Sequence, residues 1–286
     1  MAGKNCLYYR QQGKVNQMSV LKKHMKKSIR KKVFLAALPV VSLGLTAQAT
    51  LPAVAILGAP GASSWNNDVQ SQIAATGDFS TVDIYNVATT TPSLSTLEQY
   101  SAVLVYSDAS FFDPTTLGNE LAQYSEAGGG VVEAVFANAG DQLGGAWATG
   151  GFEGISGSGH GAYTELTIGD IFDAASPLLN GVTSFNGGTS SFYSTGSVIN
   201  GGVVVADWSN GAPLIVTTAV DGHQTVDLNF YPVSSNARSD FWVSGTDGGI
   251  IMANALLYSG GLPVPEPTTL ALAGLGGVAF LLRKRK

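Results

Sequence analysis

The sequence is short of cysteine and, over most of its length, of cations. Its one cysteine, Cys6, sits near the start of the chain. A single thiol makes no internal disulfide, and the rest of the chain offers neither a thiolate nucleophile nor a cysteine ligand for a metal. Of the 15 Lys and Arg, all but Arg238 lie before Val33 or among the last four residues. With no lysine in between, Schiff-base chemistry and a P-loop lysine are excluded. Of the 20 Asp and Glu, all but Glu266 fall within 50–262, so that stretch carries a net charge near −18. Such a surface repels nucleic acid and anionic lipid. It suits calcium or a hydrated glycan matrix. The 3 histidines, His24, His160 and His223, have no paired spacing, so no zinc motif is predicted.

What is present at the two ends is more specific. Residues 25–49 read "MKKSIRKKVFLAALPVVSLGLTAQA": a basic start, an apolar core from Val33 to Leu45, and Ala47-Gln48-Ala49 as a small-residue cleavage site. This pattern predicts a signal peptide cut before Thr50. Residues 1–24 are polar and unpatterned, and read as a start placed too early or a leader extension. The other end reads Val264-Pro265-Glu266-Pro267, then an uncharged apolar run from Thr268 to Leu282, then Arg283, Lys284, Arg285 and Lys286. A spanning helix wants about 20 apolar residues, more than this run has. Gly274, Gly276 and Gly277 weaken it by about 1 kcal/mol each. The closing cations would hold that end on the cytoplasmic side. A transient inner-membrane insertion during export is therefore expected.

Pro-Glu-Pro, a short apolar helix and a basic terminus, in that order over 263–286, resemble the PEP-CTERM sorting signal. The resemblance implies cleavage by an exosortase, after signal peptidase has acted at the other end. It also implies a Gram-negative envelope, with the processed chain on the outer-membrane surface or outside the cell. Proteins with this signal are associated with exopolysaccharide and biofilm.

Between the signals, 50–262 reads as one domain. "AVAILGA" (Ala53–Ala59) is an apolar run bounded by prolines and predicts a buried parallel strand. A short helix follows at Asn66–Ala75, then strands at Thr81–Val87 and Ser101–Ser107. Asp113-Pro114 opens a helix to Ala127, with Leu117, Leu121 and Tyr124 as its stripe. "VVEAVFA" is a fourth strand. Gly140–Gly161 reads as a glycine-rich loop or insertion. Strand-like pieces follow at Tyr163–Ile168, Val203–Trp208, Pro213–Thr218 and Thr225–Phe230, and a helix closes the domain at Asp247–Tyr258. The alternation predicts an α/β fold, a mostly parallel sheet sandwiched by helices, with a more β-rich second half.

The layout from Ala53 to Gly260 resembles the class I glutamine amidotransferase-like fold, a flavodoxin-like sandwich. The pieces that carry the resemblance are "YSAVLVYSDASFFDPTTLGNELAQYSEAGGGVV", "SPLLNGVTSF", "GAPLIVTTAVDGHQTVDLNFYPVS" and "GGIIMANALLYSGG". That family places a nucleophilic cysteine in a G-x-C-x-G turn and a His-Pro-Glu after a late strand. Here Asn138 stands at the cysteine position, with Gly140 and Gln142 at the expected offsets. Tyr231 and Val233 replace the base and its orienting carboxylate. An amide does not attack a carbonyl, and a phenol of pKa about 10 is a poor base at neutral pH. The resemblance therefore implies the fold without its catalytic residues.

Asp108 follows the third strand, at the edge where open α/β sheets form their sites. Asp108, Asn138, Asp141 and Tyr231, with Asp207, are the candidate polar pocket for a sugar or a cation. The plainer reading is that Asp108 and Asp141 only cap turns. Among Trp65, Trp147, Trp208 and Trp242, Trp147 is expected to be exposed and the others core. "GISGSGHG" (Gly154–Gly161) fails the G-x-S-x-G elbow. His223, in "DGHQ", reads as part of a hairpin turn. The expectation is a non-enzymatic surface or matrix protein without a predicted metal site. The alternatives are a polysaccharide hydrolase using Asp108, Asp141 and His160, and a calcium-dependent adhesion module.

Overall fold

The computed structural model describes residues 50–266. The signal-peptide positions Ala47 and Ala49 lie outside them, as do Pro267 and the basic cluster Arg283–Lys286. Thr50 is exposed at the start, and Val264–Glu266 have no regular secondary structure.

The parallel half is built from β1 (Ala53–Ala59), β2 (Thr81–Asn86), β3 (Ala102–Ser107) and β4 (Gly130–Ala134), with α1 (Trp65–Ala74), α2 (Leu94–Leu97) and α3 (Pro114–Glu126) between them. The second half adds α4 (Gly145–Thr149), β5 (His160–Gly161), β6 (Ile168–Ile171), β7 (Tyr193–Ser194), β8 (Val203–Trp208), β9 (Pro213–Val220), β10 (His223–Leu228) and α5 (Gly248–Ser259). One sheet runs in the order β2-β1-β3-β4-β10-β9-β8-β6, and β5 pairs with β7 apart from it. Pairing is parallel from β2 to β10 and antiparallel from β10 to β6.

β1 and β3 are apolar on both faces because both faces are covered. Val54 and Ile56 meet Val69 and Ile73 of α1 and Ile251 and Leu256 of α5. Ala55 and Leu57 turn to Leu117 and Leu121 of α3 and to Trp147. Burying each such side chain is worth about 1.5–3 kcal/mol. α3 starts as its sequence predicts: Asp113 Oδ1 accepts from the Thr116 N–H at 2.9 Å, and Pro114 occupies the first turn. The β9–β10 hairpin turns on Asp221 (φ 49°) and Gly222 (φ 87°), the left-handed pair that a two-residue turn demands. His223 opens β10 rather than lying in the turn.

Three expectations are corrected. The fourth strand stops at Ala134, because Ala137 N–H and Ala139 N–H bond back to Ala134 and Phe136 and curl the chain into a turn. The strand expected at Tyr163–Ile168 moves to β6, since Leu166 and Thr167 donate their N–H groups to Ser191 Oγ and Ser209 Oγ instead of a ladder. The glycine-rich stretch contains α4, and Trp147 on it is buried at 1% exposure, packed flat on Phe152 with ring centroids 4.9 Å apart.

Both ends of the described domain meet the sheet at its amino edge. Ser101 N–H bonds to Ala53 O, Gly130 N–H to Ser101 O, and Gly130 abuts Gly260 with no room for a side chain. The carboxyl edge, opposite, is free of termini.

Candidate functional site

Loops from the carboxyl ends of β3, β4 and β10, with the segments around β5 and β7, border a cleft of about 330 Å³, lined by Asp108, Phe136, Asp141, His160, Tyr231 and Arg238, with Tyr163, Phe192 and Phe241 beside them. This is the crevice where ligands sit in open α/β sheets. Its wall is aromatic. Tyr231 is buried and meets Tyr106, Phe136 and Phe241 with ring centroids 5.6, 5.5 and 5.0 Å away. His160 stands edge-on to Phe136 at 4.9 Å, and Tyr163 at the rim is 82% exposed.

Polar groups are set into this wall. Asp108 is exposed overall, yet its carboxylate sits in the mouth of the cleft. Partial desolvation pushes its pKa up, opposed by Arg238 and Tyr231 and reinforced by Asp141. The Tyr231 hydroxyl reaches toward Asp108 Oδ2 at 3.5 Å, and burial raises the phenol so that it stays protonated. Asp141 is positioned by Ser107 Oγ, which donates to its carbonyl at 3.0 Å, and by Ser110 Oγ, which donates to its carboxylate at 3.2 Å. Arg238 lies over the Phe241 ring at 3.9 Å and grips Asp240 through Nε and Nη2 at 2.6 and 2.8 Å. That grip holds the Asp240 carboxyl down at about 2.

The structure thus brings Asp108, Asp141, Tyr231 and His160 to one cleft. Asn138 does not join them. The turn after β4 points its side chain inward, where it is buried at 1% exposure and faces Asp227. There it enters a closed acidic chamber on the α3–α4 side of the sheet, formed by Glu133, Asp227 and Glu153. Trp147 Nε1 donates to Glu133 Oε2 at 2.8 Å, and Gly154 N–H donates to Asp227 Oδ2 at 2.8 Å. Glu133 Oε1, Asp227 Oδ1, Thr218 Oγ1 and both amide atoms of Asn138 have no hydrogen-bond partner. Burial raises the pKa of Glu133 well above the ordinary carboxylate range, with Asp227 and Glu153 adding to it. Asp207 is not among the residues lining the cleft; burial and Asp170 raise its pKa. Val233 is fully buried.

Sequence reasoning missed the aromatic lining of Phe136, Phe192 and Phe241, and it missed Arg238. The signal for Arg238 was its solitude, since a lone cation in so acidic a body has few idle places to be. The signal for the chamber was Glu133 in mid-strand. A larger cavity of about 510 Å³ lies between α1 and α5, away from the carboxyl edge, with Gln72, Asp247 and Asn254 among its lining and Pro265 and Glu266 at its border. Among the described residues, no set of three or more His, Cys, Asp or Glu is arranged to hold a metal ion. No helix among them is long and apolar enough to cross a membrane.

These features define an α/β domain with a glutamine amidotransferase-like fold, a mostly parallel sheet between helices. Solved structures agree. A ThuA-like protein from Parabacteroides merdae matches with a TM-score of 0.55 at 14% identity, over 76% of this chain and 93% of that one. A ThuA-like protein from Bacteroides uniformis matches with a TM-score of 0.53 at 15% identity, over 74% and 93%. Cytoplasmic protein STM1381 from Salmonella typhimurium LT2 matches at 0.53 and 12%, over 72% and 99%. At these identities the likeness shows the fold alone. No curated protein matches the chain by sequence. Residues 263–286 match the family model of the PEP-CTERM protein-sorting motif. The chain therefore ends in that motif, which marks it as an exported protein processed by an exosortase.

Proposed function

We propose that the chain is a non-enzymatic protein of the cell surface or extracellular matrix, and that its carboxyl-edge cleft binds a glycan of the exopolysaccharide. The observation that carries this reading is the cleft itself: aromatic faces beside fixed carboxylates suit the apolar faces and hydroxyls of a sugar ring. The amidotransferase roles fit it poorly. The nucleophile position holds a buried amide, and the base position holds a phenol kept neutral by burial. The sorting motif supports placement outside the inner membrane, and the net charge near −18 keeps the protein soluble in a hydrated polymer. The test is to run the exported chain with exopolysaccharide from the producing cells on a sizing column over time. Co-elution with intact polymer supports binding, and separate elution removes the glycan reading.

A second reading is favoured by one observation: Asp108, Asp141 and His160 line the same cleft. It is a polysaccharide hydrolase in which two carboxylates and an imidazole share acid and base work. Polymer that shortens during the same run, and stays long with Asp141→Asn, supports it. The calcium-dependent adhesion reading predicts instead that calcium raises Tm, since a cation bound only by the folded state stabilises it.

A further inference from the structure

We infer that the sugar unit held by the cleft is an amino sugar, its ammonium placed between Asp108 and Asp141 and its ring laid on the aromatic wall. This deepens the glycan reading and rests on it.

The argument is one of charge. Two carboxylates, Asp108 and Asp141, line the cleft with one guanidinium, Arg238. That guanidinium is already committed. It is bonded at two points to Asp240 and lies over Phe241, also within 5.9 Å of the Phe192 ring centroid. No other Lys or Arg occurs anywhere between Val33 and Leu282. A uronate, sulfate or phosphate group entering the cleft would therefore meet two carboxylates with no free cation to receive it. An ammonium meets the reverse situation.

The wall makes the same selection by shape. Phe136 and Tyr231 form the buried floor of the wall and Arg238 covers Phe241, while His160, edge-on to Phe136, half-buried Phe192 and exposed Tyr163 carry the aromatic surface out to the rim. A sugar ring has an apolar face to lay on such a surface, and a cation beside an aromatic ring gains further from the ring quadrupole. Ser107 Oγ holds the Asp141 backbone through its carbonyl, Ser110 Oγ donates to the Asp141 carboxylate, and the Tyr231 hydroxyl approaches Asp108, so both carboxylates are oriented before the ligand arrives. Pre-set groups cost a ligand less ordering entropy. A neutral sugar would gain hydroxyl hydrogen bonds from them but leave the two carboxylates with no more than the partial compensation that Arg238 gives Asp108. An N-acetylated unit has lost its charge and belongs with the neutral sugars.

The test is calorimetric titration of the exported chain with four short oligosaccharides of equal length: β-1,4-linked glucosamine, its N-acetylated form, β-1,4-linked glucose, and a polyuronate. The expected result is binding of the glucosamine oligomer at least about tenfold tighter than the other three. Asp108→Asn and Asp141→Asn should each abolish that preference. Asp221→Asn, which removes one charge in the exposed β9–β10 turn, should preserve it. Equal affinity for glucosamine and glucose overturns the amino-sugar inference while the glycan reading stands. Equal losses in all three variants also overturn it, because they would mean attraction by the overall negative surface. Tightest binding to the polyuronate refutes it directly. Binding of none of the four defeats it together with the glycan reading.

Discussion

Glu133 and Asp227 stand side by side on β4 and β10, partners in the same parallel ladder, each at 1% exposure and with no cation beside them. Each has one oxygen held by a fixed N–H donor, Trp147 or Gly154, and one oxygen without a partner. Two ionised carboxylates so placed would be prohibitively costly, so the folded protein keeps protons there.

The pH dependence of stability follows. Burial raises the Asp227 pKa to about 7, against the pull of the Gly154 N–H, and raises Glu133 as well. A raised carboxyl pKa means that the folded state binds more protons than the unfolded one. Stability is then full below the unfolded carboxyl value near 4 and falls as pH rises through about 7. The slope reaches roughly 1.4 kcal/mol per pH unit for each proton. Asp240, held low by Arg238, acts in the opposite sense but only in more acid solution. Urea unfolding from pH 4 to pH 8 should show a steady loss, and Glu133→Gln should flatten it. A midpoint that rises over this range refutes the proton-holding chamber.

Trp147→Phe keeps the stacking on Phe152 but deletes the indole N–H that donates to Glu133. A buried acceptor left without a partner costs about 1–3 kcal/mol, and chemical denaturation should show a loss of that size. Trp147→Ala removes the packing too and should cost about 3–5 kcal/mol.

Gly154→Ala places a methyl group 2.4 Å from Thr218 Oγ1, 2.8 Å from Asp227 Oδ2 and 2.9 Å from Val216 Cγ1, all of them on buried side chains. Overpacking of this kind costs typically about 1–3 kcal/mol. Gly245→Ala meets nothing within 4 Å and should leave Tm nearly unchanged. Thermal melts of the two variants side by side make the comparison.

Asp240→Asn removes the grip on Arg238. The pair is partly exposed, with side chains 41% and 30% accessible, so the stability loss should be no more than about 1 kcal/mol. Its larger effect should be on selection: a freed guanidinium should draw an acidic oligosaccharide into the cleft, read as measurable affinity for the polyuronate where the parent has little.

Replacing Pro265-Glu266-Pro267 by Ala-Gln-Ala should leave the chain unprocessed. On a blot of fractionated cells it should appear at higher mass and in the inner membrane. Normal mass and location would show that processing does not read these residues.

Most of the sheet was legible because burial on both faces writes a continuous apolar run, as in β1 and β3, and because Asp113-Pro114 is a strong local start signal for α3. The site was legible only in its skeleton. Asp108 could be placed because a residue following a central strand must lie at the carboxyl edge. Asn138 could be numbered but not aimed, since the twist of the turn after β4 is set by what packs against it. Trp147 sits among glycines, which resemble an open loop in sequence, and only the distant Glu133 and Phe152 show why it is inside. The aromatic wall is drawn from four separate loops, and no periodicity within one segment reports on such a meeting.

The chain meets the sheet at its amino edge at both ends of the described domain, and its last described backbone hydrogen bond there runs from Leu262 N–H to Leu257 O. The sorting motif lies just past that bond. A cut there leaves every strand and helix of the domain intact and alters only the border of the cavity between α1 and α5, where Pro265 and Glu266 lie. The sheet, the buried acids and the open cleft all lie before the motif in the chain, so processing by the exosortase leaves each of them whole.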